Sequence, residues 1–392
     1  MTRFGESADP DIVSSRLELI NFIGTTAILA CEDETTRFTS DHAFVLSVGN
    51  KKVSMASQEV NEDAQRLPIK FDLIPESLTS PIIDLFPGQD EGMVRGEPGG
   101  FVFTREYGRR ADEIYQFQPR GDDVWVCTFS KSGTTWTQEL VWLIANGCDT
   151  ETAKKTPLHV RSPYLEGDFL QSPDRMPQEI RDCWSLESMA KRPSPRIIKS
   201  HLPFHLLPPK LLDTCKVVYV ARNPKDVIVS NYHHFKLFKF HDYKGTLEQF
   251  AEYSMDGLIY YSPYFPHVLE AWSQRHHPNV LFLFFEEMKQ NLRAVVERVA
   301  AHLNQTITEE QMVRVLDHLS FKRLAEGEAA ETAKAKEMGV INEGACLTFT
   351  KEGTGDWKNH YSPELNERID KWMGDNLAGS DLKFIMELNH QD

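Results

Sequence analysis

Four apolar runs separated by helical patterns constrain this chain more than any other feature: "DVWVCTF" (123–129), "RIIKS" (196–200), "KVVYVAR" (216–222) and "NVLFLFF" (279–285). Each has the length and the β-branched or aromatic content of a strand, and each is nearly continuous in its apolar character. Such strands must be covered on both faces, which is the condition of a parallel sheet. The text between them supplies the cover. "GTTWTQELVWLIAN" (133–146) sets Trp136, Leu140, Leu143 and Ile144 on one helical stripe, and "PKDVIVSNYHHF" (224–235) opens with proline at a first-turn position. The expectation is an α/β fold of three layers, a P-loop-like central parallel sheet flanked by helices, spanning residues 66–392. Residues 155–195, rich in Pro and Ser, read as loops and short helices.

Residues 1–65 show no sustained period and read as an N-terminal extension of unknown role, either poorly ordered or a small accessory element. Within them "LELINFIGTTAILAC" (17–31) carries Glu18 and Asn21, and it is shorter than the about 20 residues of a membrane span. Asp9, Asp11 and Glu18 surround Arg16, so the basic flank of a signal peptide is missing. The cytoplasm is the default, and six scattered cysteines without a C-x-x-C pair fit reduced thiols there. A net charge of −15 argues against a general nucleic-acid binder and for a small-molecule acceptor as partner.

The sharpest local signal is "TFSKSGTTWT" (128–137). A strand, a Ser-Lys-Ser-Gly turn and a helix bring backbone N–H groups and one lysine to a positive helix end, which is an anion cradle. The alternative is a plain turn that uses Gly133 for its backbone and its hydroxyls to cap the helix. The Walker A pattern fails, because no glycine opens the loop and Lys131 precedes Gly133 instead of following it. No strand ends in Asp to hold magnesium opposite Thr134 and Thr135: "VVYVARNP" closes on arginine and "FLFFEEM" on glutamates. A metal-dependent NTP hydrolase is disfavoured, and no metal site is expected.

With three further blocks, this turn resembles the cytosolic sulfotransferase family. "FSKSGTTW" is similar to the family's 5′-phosphosulfate loop, and "VVYVARNPKDVIVSNYHHF" to its 3′-phosphate segment. "KSHLPFHLLP" (199–208) is similar to the block with the catalytic histidine, and "GTGDWKNHYSPELNERIDKW" continues the match near the C-terminus. The resemblance runs from about residue 95 to 390 and looks strongest to the insect branch, which includes retinol dehydratase. It implies a donor, 3′-phosphoadenosine 5′-phosphosulfate (PAPS), which leaves as PAP, and a hydroxyl on a small acceptor. On that resemblance Lys131, Ser132, Gly133, Thr134 and Thr135 hold the donor's 5′ end, and Arg222 and Ser230 its 3′-phosphate. Trp136, Phe285, Ser320 and Phe321 face the adenine, and Lys351 and Gly353 add donor contacts. The catalytic set is Lys131, Lys199, His201 and Ser230, with Ser230 restraining Lys131 until an acceptor arrives.

The residues suit that chemistry. Sulfuryl transfer moves a planar SO3 group in line between two oxygens, and the group carries less negative charge than a phosphoryl, so lysines can replace magnesium. Lys199 and His201 are two apart, hence on one side of an extended backbone, and an imidazole near pKa 6.5 suits a general base. Trp136 also reads as core, and Arg222 as a partner of Asp226.

Three features depart from the family pattern. Phe285 replaces the usual tyrosine and loses a hydrogen bond worth about 1 kcal/mol. "TKEGTGDW" (350–357) removes a positive charge and introduces Glu352 near the donor phosphate, which keeps a PAPS-binding protein of weak turnover as a rival reading. Intact Lys131, Lys199 and His201 stand against that rival. Lys358 and Glu367 retain the spacing of the dimer motif, but Ser362 and Pro363 fill its middle, so a homodimer is allowed without being required. Phe235, Phe238, Phe240 and "YYSPYF" (260–265) read equally as an apolar acceptor pocket or as core packing. The acceptor class (phenol, sterol, retinoid or similar alcohol) stays open, as does dehydration through a sulfate ester.

Overall fold

The structure, a computed structural model, describes residues 43–48, 51–56, 66–75, 84–89, 91–172, 175, 178–342 and 354–388. The apolar stretch 17–31, Cys31, Cys346, Lys351, Glu352 and Gly353 lie outside the described residues, as does the side chain of Phe321. The chain divides into two units, Met1–Asp63 and Ala64–Asp392. In the first, β1 (Ala43–Val48) and β2 (Lys51–Ala56) pair antiparallel.

In the second unit β3 (Lys70–Leu73), β4 (Met93–Glu97) and β5 (Phe101–Thr104) form an antiparallel sheet that the sequence reading did not anticipate. The four apolar runs form β6 (Val124–Thr128), β7 (Ile197–Ser200), β8 (Lys216–Ala221) and β9 (Val280–Phe284), all parallel, in the order β7-β6-β8-β9. Side chains alternate between two cores. Trp125, Cys127, Ile198, Val217, Tyr219 and Phe282 face one, and Val124, Val126, Ile197, Val218, Val220 and Leu283 face the other. This is why the runs read as continuously apolar: period two is present, but both faces are buried.

Helices α1 (Arg105–Tyr115), α2 (Thr134–Ala145), α3 (Pro224–Leu237), α4 (Leu247–Met255), α5 (Tyr264–Ser273), α6 (Leu292–His302), α7 (Glu309–His318), α8 (Phe321–Glu337) and α9 (Pro363–Leu377) supply the outer layers. α2, α6 and α7 contribute to one core, and α1, α3, α4, α5 and α9 to the other. α2 differs from the single stripe expected of it. Every residue from Trp136 to Ile144 is buried, because α6 and the residues after Thr150 cover the side turned away from the sheet. Segment 155–195 does hold short helices, at Leu158–Arg161, Gln178–Trp184 and Leu186–Lys191.

The residues that interrupt the dimer motif have a local reason. Ser362 caps α9, accepting from the Leu365 N–H at 3.1 Å, and Pro363 occupies its first turn, where a missing N–H costs nothing. Lys358 pairs with Glu387. Cys127, Cys148, Cys183 and Cys215 are free thiols. Among the described residues no helix is long and apolar enough to cross a membrane, and no group of three or more His, Cys, Asp or Glu gathers as a metal site.

Candidate functional site

The chain leaves β6 to one side for β7 and returns to the other side for β8, so the carboxyl ends of β6 and β8 flank the switch point where α/β sheets bind ligands. The turn after β6 is built for an anion. Lys131 adopts φ 65° and Gly133 φ 98°, and the Ser132 N–H closes on the Phe129 carbonyl at 3.3 Å. Gly133 is the N-cap of α2, and no side chain caps the helix. The hydroxyls therefore do not serve as caps. The Thr134 hydroxyl turns to the Thr128 hydroxyl at 2.7 Å, while Ser132 Oγ is buried with no hydrogen-bond partner among the described residues. A Cβ on Gly133 would stand 2.5 Å from the Phe285 ring, so the turn and that ring are closed against each other. A helix end without a side-chain cap, an unpaired buried hydroxyl and an adjacent lysine fit a phosphate or sulfate group.

The turn after β8 is tied to the turn after β6. Arg222 donates from Nη1 to the Lys131 carbonyl at 3.0 Å, and its guanidinium lies 4.5 Å from the centroid of the Phe285 ring. Ser130 and Asn231 of α3 exchange side-chain and backbone hydrogen bonds at 3.1 and 3.4 Å. Asp226 accepts the Gly355 and Trp357 N–H groups at 2.9 and 3.3 Å, anchoring the segment after the undescribed residues 351–353. Ser230 lies two turns into α3.

The end of β7 brings a histidine beside these turns. His201 is 6% exposed, and its Nδ1 is 2.9 Å from the Thr128 carbonyl oxygen. That oxygen only accepts, so Nδ1 carries the proton and Nε2 keeps the lone pair. Burial, then the Lys199 charge, pull the imidazole well below 6.5 against the opposing effect of the Thr128 carbonyl, which keeps it neutral at pH 7. The Lys199 ammonium sits 4.0 Å from the centroid of the Tyr164 ring.

These groups share one cavity of about 1920 Å³. A pocket for one small ligand is ~300–1,000 Å³, so two reactants fit. Lys131, Gly133, Thr134, Thr135 and Trp136 line it, as do Lys199, His201, Arg222, Ser230 and Phe285. Trp136 lies edge-on to Phe285 at 5.8 Å while also belonging to the core under α2, so the two sequence readings of that residue hold together. Ser132 and Ser320 are not on the wall. Ser320 makes the turn into α8 with its N–H on the Asp317 carbonyl, and Arg323 and Leu324 face the cavity beyond it. Phe235, Phe238, Phe240, Tyr260 and Tyr261 are on the wall, while Phe235, Tyr260, Tyr261, Tyr264 and Phe265 belong to the core, so the aromatic segments serve as pocket lining and as core packing together.

Sequence reasoning missed Thr128, whose hydroxyl joins Thr134 to His201, and the buried carboxylates Glu166 and Glu286. The signal for both glutamates was a charge inside an apolar stretch, "SPYLEGDF" and "FLFFEEM".

Comparison with known proteins gives the same picture. A family model described as a sulfotransferase domain matches residues 121–381. Sulfotransferase 1A1 of Rattus norvegicus is 33% identical over 290 residues, covering 74% of this chain and 96% of its own. Sulfotransferase 1E1 of Homo sapiens is 33% identical over 293 residues, with 74% and 96% covered. A crystal structure of retinol dehydratase with androsterone and the inactive cofactor PAP superimposes with a TM-score of 0.75 at 32% identity, covering 82% of this chain and 99% of that one. The same enzyme with retinol and PAP gives 0.76.

Proposed function

The chain belongs to the sulfotransferase family, and from that premise we propose how its own residues transfer a sulfuryl group from PAPS to the hydroxyl of a small, mainly apolar acceptor. The turn Lys131–Thr135 holds the donor's 5′ end, and Arg222 with Ser230 holds its 3′-phosphate. Trp136 and Phe285 face the base, with Ser320, Phe321, Lys351 and Gly353 completing the donor site. The acceptor oxygen forms a bond to sulfur as the bond from sulfur to the bridging oxygen breaks. The electron pair stays on the 5′-phosphate of PAP, where Lys131 offsets the charge, and the hydroxyl proton passes to Nε2 of His201. Lys199 stabilises the sulfuryl oxygens in flight, and Ser230 restrains Lys131 beforehand. A depressed histidine pKa suits this order of events, because the acceptor oxygen becomes acidic only as its bond to sulfur forms.

The observation that carries the reading is the His201 Nδ1 bond to the Thr128 carbonyl, which leaves a lone pair on a histidine that shares a cavity wall with Lys131 and Lys199. The test is incubation with radiolabelled PAPS in EDTA and a panel of phenols, sterols and retinoids, with product masses. His201→Ala should abolish turnover and leave PAP affinity within about twofold; unchanged turnover refutes His201 as base. The structural likeness to retinol dehydratase favours a second reading, in which the ester of a retinoid eliminates sulfate. A product one water lighter than the alcohol would distinguish it.

The catalytic domain is assigned to residues 66–392, with 1–65 an accessory extension, and the enzyme is placed in the cytoplasm. With its net charge of −15 it takes no nucleic-acid partner. Light scattering decides whether it forms a homodimer.

A further inference from the structure

A carboxylate that does not reach the cavity wall makes contact with the histidine's own backbone. Glu166 is fully buried, and it accepts three hydrogen bonds: from the His201 N–H, from the Ser200 hydroxyl at 2.9 Å and from the Tyr261 hydroxyl at 3.3 Å. Ser200 Oγ in turn accepts the Leu202 N–H at 3.0 Å, so the carboxylate holds Ser200 and His201 directly and Leu202 through Ser200. The segment bearing Glu166 is itself in register with the end of β7. Lys199 N–H bonds the Pro163 carbonyl and Leu165 N–H the Lys199 carbonyl, both at 2.9 Å, with Tyr164 bridging Lys199.

The histidine ring is confined from the same source. Tyr164 and Tyr261 meet it edge-on at 5.4 and 5.5 Å, and their hydroxyls bond each other as well as tying back to Glu166 through Tyr261. Tyr261 keeps φ 70°, a backbone conformation costly for a bulky residue, and the position in which it is held puts its hydroxyl within reach of both partners. On the far side His267 donates from Nε2 to the His201 carbonyl at 2.9 Å. The base is thus fixed at its N–H, its C=O, its Nδ1 and both flanks, and Glu166 accounts directly for the first and indirectly for the flanks.

We propose that Glu166 is a positioning residue for the transfer reaction, holding His201 through its backbone amide and through the Tyr261–Tyr164 pair so that Nε2 stays aimed at the acceptor hydroxyl. This rests on the assignment of His201 as the base. Misplacing a reacting group by about 1 Å from a distance costs about 100-fold in rate, which sets the scale of the effect. Burial pushes the Glu166 carboxyl up to about 7, so a neutral side chain of the same size is a close substitute: a glutamine oxygen can accept the His201 N–H and Tyr261 hydroxyl, while its NH2 donates to Ser200 Oγ, reversing that one hydrogen bond.

The test compares Glu166→Leu with Glu166→Gln, using kcat, acceptor KM, PAP affinity by calorimetry and Tm. Leucine fills the space but leaves the Ser200 hydroxyl and the His201 N–H without an acceptor. Its kcat should fall about 100-fold with PAP affinity within about twofold, while glutamine should keep kcat within about threefold. Equal kcat in the leucine variant and the native chain overturns the proposal, as does an equal loss in the two variants or a PAP affinity that falls in step with kcat. Should the leucine chain not fold, Tyr261→Phe decides: a kcat lower by about tenfold at unchanged PAP affinity supports the proposal, and unchanged kcat overturns it. If His201→Ala retains turnover, the failure lies in the base assignment; if His201→Ala is inactive while Glu166→Leu is normal, it lies in the role of Glu166.

Discussion

Replacing Gly133 by alanine tests the donor turn with a single methyl group. The added Cβ would stand 2.5 Å from Cδ2 and 3.2 Å from Cε2 of Phe285, against an ordinary carbon contact of ~3.5–4.0 Å, so the ring must retreat by about 1 Å. It has little room to do so, being 6% exposed and set edge-on against Trp136. Overpacking of this kind costs about 1–3 kcal/mol. The backbone adds to that, since φ 98° lies beyond the left-handed region that L-residues tolerate at about 1–2 kcal/mol. A loss of about 3 kcal/mol follows, or roughly 5–10 °C in Tm. The Arg222 guanidinium lies 4.5 Å from the same ring, so moving the ring moves the cation assigned to the donor's 3′-phosphate. PAP binding by calorimetry should weaken about tenfold or more, equivalent to about 1.4 kcal/mol. The exposed Thr135, changed to alanine, controls for stability and should leave Tm in place. If Gly133→Ala melts with the native chain and binds PAP as tightly, the closure of the turn on Phe285 is not what the geometry implies.

Further outcomes follow from single residues. Glu286 is fully buried, and burial pushes its carboxyl from 4.5 up to about 7, with the Asn223 N–H and Arg222 opposing and Asp226 adding. In the unfolded chain it ionises near 4.5, so the folded state carries no penalty below that pH, a growing one between 4.5 and 7, and about 3 kcal/mol above. Melting curves of Glu286→Gln and the native chain should therefore differ least at pH 4.5 and separate in favour of glutamine up to pH 7; a constant gap would refute the burial account. Phe285→Tyr adds a hydroxyl at the ring's edge and should tighten PAP binding about fivefold, for a hydrogen bond of about 1 kcal/mol. Unchanged affinity would mean the ring's edge does not meet the base.

The parallel sheet was legible because a strand buried on both faces leaves a continuous apolar run, and each of the four runs became one strand within a residue or so. Their order was not, since nothing local in "RIIKS" says that it pairs outside β6 and not outside β8. β3 went unseen because its pairing with β4 spans some 25 residues, and the local β4–β5 pair because "MVRGE" carries no alternation strong enough to declare itself. At the site, motif-bearing residues such as Lys131, His201 and Arg222 could be named because they stand in short blocks that follow a recognisable order. Glu166 and Thr128 could not. Each acts through hydrogen bonds to residues far along the chain, with His201 35 positions from Glu166 and 73 from Thr128, a relation that exists only after folding.

The pairing of β6 with β8 runs Cys127 to Tyr219 and Thr128 to Val220, and each strand then opens directly into one of the two turns that carry Lys131 and Arg222. The separation of those turns is therefore a lattice constant of the sheet, about 4.8 Å per strand, and not an adjustable property of the loops. If the two turns hold the donor's two charged ends as proposed, that spacing presets which nucleotides fit, and the Arg222 and Ser230 side chains are left to make the adjustment. The aromatic wall on α3 and beyond, free of that measure, can drift toward new alcohols without disturbing the gauge that admits the donor.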